Sequence, residues 1–419
     1  MDLMLEPTLL KGCVMIPPSK SASHRAIISA ALTNGTSKLK NIRFSQDILA
    51  TIDAVTALGA KVEQGSGKGC LQITGLFTNT NNTSTLPLFD CRESGSTLRF
   101  MIPVALMFGG GEFTGKGKLL DRPLTVYENI LKEQNISYIK YSTDGDAVNK
   151  LLFQGFLQGG TFLIPGDISS QFLSGLLFAL PLANNDSKII LEGKLESKGY
   201  VDMTIETLHH FGIQIQQENG QWLIPGNQTY RPADLSIEGD YSQAAFFLVA
   251  NALGSQIECL GLPEDSKQGD RAIITLISLM QDPAQKSQNL EINVSDVPDL
   301  LPILTLLASL RKGQTVLSHA ARLRLKESDR LAAITCELTK LGAQIQEESD
   351  RLTITGIKQL HGGLTDSWND HRIAMSLAIA STVCTEQIMI RNAQCIEKSY
   401  PSFWQDFVAL GGKIQEVSL

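Results

Sequence analysis

The sequence predicts an α/β fold of two similar domains, in which each domain contains three copies of one helical unit. Three observations along the 419 residues lead to this prediction. Amphipathic helical segments recur six times, apolar helical segments with polar first residues recur six times, and short β-rich segments such as KLKNIRF and RLTITG lie between them. A chain of this length usually forms two or three domains, so we expect two domains of three units each.

The amphipathic segments are clearest at residues 45–63 (SQDILATIDAVTALGAKVE) and 328–346 (SDRLAAITCELTKLGAQIQ). Each places apolar residues three or four positions apart, as on the buried face of a helix, and each ends in LGA, whose glycine is expected to close the helix. The apolar positions are Ile48, Ile52, Val55 and Leu58 in the first segment, and Leu331, Ile334, Leu338 and Leu341 in the second. Looser copies begin near residues 123, 200, 270 and 400.

The second kind of segment is apolar on nearly every side. Its six copies are SASHRAIISAAL, ESGSTLRFMIPVALMF, ISSQFLSGLLFALPLA, DYSQAAFFLVANAL, VPDLLPILTLLASL and NDHRIAMSLAIAS. A helix that is hydrophobic all round is buried on all sides, so we expect these helices inside each domain and the sheets outside. A conventional α/β alternation around a parallel sheet is the alternative, although a doubly wound sheet has no need for all-apolar helices with polar first residues.

Polar and charged residues gather at the starts of these apolar helices. If the helices of one domain run parallel, their N-termini share a face that offers unpaired N–H groups and positive dipole ends to an anion. The residues at the six starts are Lys20, Ser21 and Arg25; Glu93, Ser94, Gly95 and Arg99; Ser169, Ser170 and Gln171; Asp240 and Ser242; Asp299; and Asp370, His371 and Arg372.

Helix capping alone explains serines at such positions, but it does not explain lysine and arginine. A cation in the first turn opposes the helix dipole and costs about 0.3–1 kcal/mol. A bound anion would offset that cost, and a guanidinium group fits carboxylate or phosphate through paired hydrogen bonds. We therefore expect a site for a small substrate with several negative charges.

A further cationic cluster, RLRLKESDR at residues 322–330, precedes an amphipathic helix. Lys326 and Glu327 lie four and three residues before Arg330, so on a helical turn these side chains would share a face. A solvated, salt-bridged helix start is the alternative explanation. Arg122 in KLLDRPL and Lys398 in CIEKSYPSF hold comparable positions before the amphipathic helices of their own units.

Composition and missing motifs disfavour several classes of protein. A net charge of −7 is unfavourable for binding nucleic acid through a broad basic face. Seven cysteines without a CxxC pair suit free thiols in a reducing compartment better than disulfides or zinc. The chain has no GxxxxGK(S/T), HExxH or GxSxG motif. The N-terminus lacks the basic region of a secretory signal, and the longest uncharged run is interrupted by polar residues, so we expect a cytoplasmic protein without membrane contact.

Nine motifs in order along the chain resemble the 5-enolpyruvylshikimate-3-phosphate synthase family. They are PPSKSASHR, ESGSTLR, DRPL, GDISSQFLSGLL, GDYSQAAFF, DVPD, RLKESDRL, NDHRIAMSLA and EKSYPSFW. The resemblance implies two domains of three βαβαββ units, each an inside-out α/β barrel with inward helices and outer sheets, joined by two hinge strands. It implies a first domain at residues 19–238, a second at residues 1–18 plus 239–419, and an active site in the cleft between the domains.

The resemblance also implies a reaction of the shikimate pathway, which leads to chorismate and the aromatic amino acids. The enolpyruvyl group of phosphoenolpyruvate passes to the 5-hydroxyl of shikimate 3-phosphate, and phosphate leaves through a tetrahedral intermediate, without a cofactor or a metal. The residues implied for shikimate 3-phosphate are Lys20, Ser21, Arg25, Ser169, Ser170, Gln171, Ser197, Asp299 and Lys326. The residues implied for phosphoenolpyruvate are Lys20, Gly95, Arg122, Gln171, Arg330, Arg372 and Lys398.

The resemblance assigns proton transfer to a small set of these charged residues. The resemblance implies that Asp299 takes the proton of the 5-hydroxyl and that Lys20 lies near this hydroxyl. It also implies that either Lys326 or Glu327 protonates the methylene carbon of phosphoenolpyruvate. A simple helix cap is the alternative role for Asp299. Four residues depart from the usual family pattern: Pro18, His24, Glu93 and Arg322. Because Glu93 puts an acid beside the implied phosphoenolpyruvate site, sensitivity to glyphosate is left open.

Two other functions stay open at this point. The sister family that enolpyruvylates UDP-N-acetylglucosamine has the same fold and donor, but it relies on a loop cysteine that GKGKLLDRPL lacks. A non-catalytic binder of phosphorylated hydroxy acids is the second, and the intact Lys20, Asp299, Lys326 and Glu327 count against it. We expect a monomer whose partners are small molecules only.

Overall fold

A computed structural model describes residues 1–76, 86–142, 149–166, 169–218, 220–282, 284 and 288–417. In this part of the chain the helices are α1 (Lys20–Ala31), α2 (Gln46–Leu58), α3 (Gly95–Leu106), α4 (Thr125–Glu133), α5 (Ser170–Ala179), α6 (Lys198–His210), α7 (Tyr241–Ala252), α8 (Ile273–Gln281), α9 (Leu301–Leu310), α10 (Arg330–Lys340), α11 (His371–Ser381) and α12 (Phe403–Ala409).

The strands are short and lie before, between and after these helices. They are β1 (Asp2–Glu6), β2 (Lys11–Met15), β3 (Thr36–Lys40), β4 (Lys61–Gln64), β5 (Leu71–Thr74), β6 (Leu88–Asp90), β7 (Gly110–Thr114), β8 (Ser137–Tyr141), β9 (Lys150–Gln154), β10 (Thr161–Pro165), β11 (Ser187–Glu192), β12 (Gln216–Glu218), β13 (Gln221–Ile224), β14 (Leu235–Ser236), β15 (Gln256–Leu260), β16 (Leu290–Asn293), β17 (Gln314–Ser318), β18 (Gln344–Glu347), β19 (Leu352–Thr355), β20 (Gly363–Asp366), β21 (Ile388–Arg391) and β22 (Lys413–Val417).

The odd-numbered helices correspond to the six apolar segments, and they are buried as predicted. Every residue of α11 is buried, and in α3 all residues except Ser96 are buried. Such helices cannot face water, because apolar side chains cover their whole circumference. They therefore form the interior against which the other layers pack.

The even-numbered helices correspond to the amphipathic segments. In α10 the apolar stripe of Leu331, Ile334 and Leu338 is fully buried, while the other side of the helix is more exposed. Helix α2 begins at the Ser45 cap and ends at Gly59, whose φ of 119° lies in the left-handed region that favours glycine. The predicted stripes and the predicted glycine ends are confirmed.

In the described part of the chain, five four-stranded sheets share one topology: the first two strands of the order are parallel and the remaining pairs are antiparallel. Three of these sheets, β6-β7-β9-β8, β10-β11-β13-β12 and β16-β17-β19-β18, use strands that follow one another along the chain. The other two include a strand from far along the chain, since β14 pairs with β3, and β1 pairs with both β21 and β22. The sixth sheet contains only the parallel strands β15 and β2.

The chain forms two compact units, one of residues 18–238 and one of residues 1–17 with 239–419. The domain limits implied by the family resemblance differ from this division by one residue. Each unit has its own hydrophobic core. Phe100 and Phe178 pack edge to face in the first, and Phe247 stacks on Phe403 in the second. Within the described ranges, no helix is long and apolar enough to cross a membrane.

Candidate functional site

In each unit, side-chain contacts link the N-terminal ends of several helices. We call the two groups the first cluster and the second cluster. The first cluster, in the unit of residues 18–238, comprises Lys20, Ser21, Arg25, Gly95, Arg122, Ser169, Ser170, Gln171 and Ser197. The second cluster, in the other unit, comprises Asp299, Lys326, Glu327, Arg330, Arg372 and Lys398.

Lys20 is the first residue of α1, which begins after a cap at Ser19. Its Nζ donates to Oδ2 of Asp47 at 2.8 Å, and only 17% and 12% of the two side chains are exposed. Asp47 lies in the first turn of α2, where the helix dipole favours a carboxylate. This acid balances a lysine that would otherwise oppose the dipole of α1. Nothing in the sequence pattern marked Asp47 as part of the site.

Arg25 is buried in the middle of α1. Its Nε donates to Thr204 Oγ1 at 2.8 Å, and its terminal nitrogens donate to the carbonyl oxygens of Ser21 and Tyr200 at 2.8 and 2.9 Å. Burial lowers the pKa of Arg25 to about 10. Because these three acceptors are neutral, none of them cancels the charge that the guanidinium group carries at neutral pH.

Gly95 opens α3 and lets two arginines approach its N-terminus. A Cβ atom at this position would lie 2.9 Å from NH1 of Arg122 and 3.2 Å from NH1 of Arg99. Arg99 also donates to Gln171 Oε1 at 2.8 Å, and Gln171 Nε2 donates to Ser96 Oγ at 3.0 Å. These contacts join the starts of α3 and α5 around closely spaced cations, and the absence of a side chain at Gly95 leaves room for both guanidinium groups.

Three serines complete the first cluster. Ser169 caps α5 by accepting from Gln171 N–H at 3.4 Å, and Ser170 is the first residue of that helix. Ser197 precedes α6, is 2% exposed, and has a φ of 56°. Left-handed backbone is uncommon for serine, which marks a constrained position. Residues 167–168 of the motif GDISSQFLSGLL lie outside the described residues.

Arg330 is the centre of the second cluster. It is the first residue of α10 and its side chain is only 1% exposed. Its Nε, NH1 and NH2 donate to Asp370, Asp299 and Glu327 at 2.8, 2.7 and 2.9 Å. Burial opposes the charge, but the three carboxylates outweigh it and raise the pKa of Arg330 well above its usual value. The solvated helix start considered from the sequence is therefore wrong for this arginine.

Asp299 lies in the short turn before α9 and meets three cations. Its Oδ1 accepts from Arg330 and lies 3.6 Å from Lys326 Nζ, while its Oδ2 accepts from Arg372 at 3.1 Å. The residue at the cap position of α9 is Leu300, and that helix has no side-chain cap. The capping role considered for Asp299 is therefore not the one observed.

Arg372, at the start of α11, links that helix to α7. Its NH1 and NH2 donate to the carbonyl oxygen and Oγ of Ser242 at 2.9 and 2.8 Å. Ser242 is not the cap of α7, because Asp240 occupies that position and accepts from the N–H groups of Ser242 and Gln243. The first turns of α7 and α11 and the turn before α9 thus lie together around Arg372 and Asp299.

Lys326 and Glu327 lie in a bend between the 3₁₀ turn at Ala321–Leu325 and α10, and not on a helix. Helix α10 begins only at Arg330, after the cap Asp329, so the predicted shared helical face was wrong. The Glu327 carboxylate nevertheless accepts a hydrogen bond from Arg330 NH2. Burial lowers the pKa of Lys326, and the nearby Asp299 opposes that shift. A lysine in this setting gives up its proton more readily than a solvated one.

Arg324 and Arg322, two further cations of RLRLKESDR, hold the loop in place. Arg324 donates to the Asp329 carboxylate at 2.8 Å and to the carbonyl oxygens of Glu348 and Ser349 at 2.6 and 3.0 Å. Arg322 donates to the carbonyl oxygen of Ser295. Their role is structural, because their contacts connect the loop to neighbouring backbone.

Lys398 ends a short 3₁₀ helix, Ala393–Lys398, and reaches the second cluster through the backbone. Its Nζ donates to the carbonyl oxygen of Asn369 at 2.7 Å. Asn369 immediately precedes Asp370, which caps α11 and bonds to Arg330. Lys398 is therefore tied to the same turn as Arg372.

The structure shows what surrounds three of the four residues that depart from the family pattern. His24 is buried beside Thr51, whose hydroxyl continues to Thr97. Glu93 lies against the loop that leads to Arg122, since a Cβ atom at Gly117 would be 3.5 Å from its carboxyl carbon. Arg322 donates to the carbonyl oxygen of Ser295, as described above. Nothing in the structure explains Pro18.

Together the contacts define what each cluster can do chemically. The first cluster offers cations and hydroxyl groups, with Asp47 as the acid that Lys20 contacts. The second offers several cations together with Asp299 and Glu327, so anion binding and proton transfer are combined. Among the described residues, no three His, Cys, Asp or Glu side chains are grouped so that they could hold a metal ion.

Comparisons with known proteins agree with these features. The family described as EPSP synthase (3-phosphoshikimate 1-carboxyvinyltransferase) matches residues 5–407. A protein of Clostridium kluyveri named 3-phosphoshikimate 1-carboxyvinyltransferase is 48% identical, covering 99% of this chain and 98% of the relative. A Clostridium perfringens protein of the same name is 47% identical and covers 99% of both chains.

The fold also matches a solved structure. EPSP synthase from Acinetobacter baumannii superimposes with a TM-score of 0.80 at 23% identity, covering 99% of this chain and 100% of that one. At this identity the likeness supports the fold only. The family match extends over nearly the whole chain, and the two clostridial relatives are similar over their full length. The chain belongs to the EPSP synthase (3-phosphoshikimate 1-carboxyvinyltransferase) family.

Proposed function

We propose that this chain transfers the enolpyruvyl group of phosphoenolpyruvate to the 5-hydroxyl of shikimate 3-phosphate and releases phosphate. The observation that carries the proposal is the setting of Asp299 in a member of this family. Its carboxylate accepts from Arg330 and Arg372, and Lys326 Nζ lies 3.6 Å away. A base and an acid placed among cations can move protons on an anionic substrate.

The first cluster supplies groups suited to shikimate 3-phosphate. Arg25 carries a buried charge whose observed acceptors are neutral, so it can attract the shikimate carboxylate together with Ser21. Lys20 serves the reacting hydroxyl. The remaining hydroxyl and amide groups serve the phosphate and the ring: Ser169, Ser170, Gln171 and Ser197.

The cations assigned to phosphoenolpyruvate come from both clusters. Arg122 lies beside Gly95 in the first, and Arg330, Arg372 and Lys398 belong to the second. A phosphate and a carboxylate on one small molecule need several donors, and arginine supplies them in pairs. Arg330 also holds Asp299 and Glu327 in place through its ion pairs with these carboxylates.

The proposed steps use these groups in two stages. The 5-hydroxyl oxygen bonds to C2 of phosphoenolpyruvate while its proton passes to Asp299, and Lys326 or Glu327 delivers a proton to the methylene carbon. The tetrahedral adduct then loses phosphate as a proton leaves its methyl group, which restores the double bond. The lowered pKa of Lys326 favours it as the proton donor, while Glu327 is held by Arg330.

A phosphate-release assay with the purified chain tests the proposal. We expect turnover only when phosphoenolpyruvate and shikimate 3-phosphate are both present. D299N keeps the size of the side chain but removes the base, so it should lower kcat by about 10²- to 10⁴-fold. K413A serves as the control, because Lys413 is 65% exposed and its ion pair with Glu6 involves neither cluster.

Two results would overturn the proposal. Turnover with UDP-N-acetylglucosamine in place of shikimate 3-phosphate would assign the chain to the sister reaction. Tight binding of shikimate 3-phosphate without phosphate release would indicate a non-catalytic binder. The missing cysteine in GKGKLLDRPL and the intact Asp299 and Lys326 favour the reaction proposed here.

We also propose that the chain acts in the cytoplasm as a monomer with small molecules as its partners. The seven free cysteines suit a reducing compartment. Sedimentation at several protein concentrations measures the oligomeric state, and a mass that rises with concentration would contradict the monomer.

A further inference from the structure

The turn between β20 and α11 has an unusual backbone. Trp368 and Asn369 are consecutive residues with φ values of 53° and 54°. A bulky side chain in the left-handed region is rare, because its Cβ atom crowds the following carbonyl oxygen. Contacts from the surrounding structure must therefore stabilise this turn.

A buried carboxylate from α10 supplies such contacts. Glu337 has no exposed surface, yet its Oε2 accepts from the N–H of Asp366 at 3.0 Å and its Oε1 from the indole Nε1 of Trp368 at 2.7 Å. Lys340 donates to both oxygens at 2.8 Å. A buried carboxylate is stable only when it is paired and hydrogen-bonded in this way. Glu337 thus connects α10 to both ends of the strained turn.

The turn at residues 366–369 also fixes cations of the second cluster. The carbonyl oxygen of Asn369 accepts from Lys398 at 2.7 Å. The next residue, Asp370, bonds to Arg330 and caps α11 by accepting from Arg372 N–H at 2.9 Å. A shift of the turn would therefore move the partner of Lys398 and the first residues of α11 together.

We propose that Glu337 is a positioning residue for the phosphoenolpyruvate-binding cations Lys398 and Arg372. It touches neither cation and acts through the turn at residues 366–369. This inference rests on the proposed function, which assigns Lys398 and Arg372 to phosphoenolpyruvate rather than to shikimate 3-phosphate. It predicts that loss of the carboxylate weakens the binding of one substrate selectively.

Steady-state kinetics of E337Q test the selectivity. Glutamine keeps the shape and one acceptor oxygen but loses the charge and one of the two contacts to the turn. We expect the KM for phosphoenolpyruvate to rise about tenfold, the KM for shikimate 3-phosphate to stay within about twofold, and kcat to change less than the first KM. K413A is the matched control and should leave both KM values unchanged, because Lys413 is 65% exposed, pairs with Glu6 and contacts neither Glu337 nor the turn.

Trp368 provides a readout that needs no substrate. The chain has three tryptophans, of which Trp222 and Trp404 are buried and Trp368 is 39% exposed. Acrylamide should therefore quench the fluorescence of Trp368 before that of the buried tryptophans. The W368F protein gives the background fluorescence of Trp222 and Trp404. E337A removes the acceptor of the indole N–H, so Trp368 should be quenched more strongly in E337A than in the unchanged protein. W368F, which loses the N–H donor but keeps an aromatic ring, should raise the KM for phosphoenolpyruvate in the same direction.

The outcomes separate this inference from the proposed function. If the unchanged protein releases phosphate and E337Q raises both KM values equally, or only lowers kcat, the positioning role is wrong. Unchanged quenching in E337A would also contradict it. If E337Q does not fold, W368F carries the kinetic test, and a normal KM for phosphoenolpyruvate there overturns the proposal. If the unchanged protein is inactive, the function is wrong, while the quenching experiment still decides whether Glu337 holds the turn.

Discussion

Two buried arginines show how surroundings give the same side chain different tasks. Arg25 is held by a hydroxyl group and two carbonyl oxygens, and burial lowers its pKa to about 10. Arg330 is held by three carboxylates, which raise its pKa. The charge of Arg25 is thus available to an anionic ligand, whereas the charge of Arg330 is used within the protein to hold Asp299 and Glu327.

His24 leads to a prediction about stability at acidic pH. It is 1% exposed, and burial, helped by Lys20 and Arg25, lowers its pKa well below 6.5. The unfolded chain takes up a proton at this site as the pH falls through 6.5, while the folded chain does not. The stabilising contribution is therefore complete above pH 6.5 and decreases below it, by up to about 1.4 kcal/mol per pH unit.

Urea unfolding of the unchanged protein and of H24N between pH 5 and 8 measures this effect. Asparagine cannot take up the proton, so the difference in unfolding free energy between the two proteins should shrink as the pH falls. Other acidic and basic groups contribute equally to both proteins and cancel in the difference. Two parallel curves would show that His24 does not titrate as expected.

At this scale the sequence indicated candidate residues more readily than their contacts. Lys20 and Arg372 stand out because cations are unusual at the start of an apolar helix, whereas Asp299 became a candidate through the family resemblance. The acceptors of Arg25 could not be predicted, because Thr204 and the carbonyl oxygen of Tyr200 are distant in sequence and common in type. Asp47 was missed because an acid in a first helical turn has an ordinary explanation.

At the scale of elements, helices were predictable because their patterns are local. The periodicity of α10 and the uniform apolarity of α11 follow from residues within a few turns. The start of α10 was placed too early, because the cap Asp329 follows two charged residues that fit a helix equally well. The pairing of β1 with β21 and β22 depends on contacts across almost the whole chain, which no local pattern contains.

The close approach of α5 to α3 at Gly175 leads to a second prediction. A Cβ atom at Gly175 would lie 2.3 Å from the Tyr127 hydroxyl and 2.5 Å from the carbonyl oxygen of Arg99. G175A should therefore lower the free energy of unfolding by about 1–2 kcal/mol, although alanine is the better helix former by about 1 kcal/mol. Thermal or urea unfolding measures the change.

A double substitution separates crowding from other effects of this alanine. Y127F removes the nearest clashing atom, but it also loses the hydrogen bond from the Tyr127 hydroxyl to Arg99 O. If crowding is the cause, G175A with Y127F should lose less stability than the sum of the two single changes. Stabilisation by G175A alone would show that the helices separate easily, and would contradict the close packing described here.

At the scale of the whole molecule, the proposed function divides its assigned residues between the two units. The unit of residues 18–238 holds Arg122 beside Gly95, and the unit of residues 1–17 and 239–419 holds Lys398 beside the turn before α11. The proposed function requires both cations to act on one molecule of phosphoenolpyruvate. This requirement can be measured without a ligand complex, because residues that share a partner do not contribute independently.

We expect R122M and K398M to be coupled in their effects on kcat/KM for phosphoenolpyruvate. Each single change removes one of the cations that bind phosphoenolpyruvate. Because phosphoenolpyruvate is then held less firmly, its binding depends less on the second cation. The double variant should therefore lose less than the product of the single losses, with a coupling of about 1 kcal/mol, or roughly fivefold. Because kcat/KM refers to free enzyme and free substrate, the coupling reports on the same transition state in all four proteins. R122M combined with K413A is the control, and its effects should multiply, because Lys413 is 65% exposed and pairs only with Glu6 among the ion pairs observed between described residues. If R122M and K398M also multiply, the two units do not bind the same molecule, and the assignment of both cations to phosphoenolpyruvate is wrong.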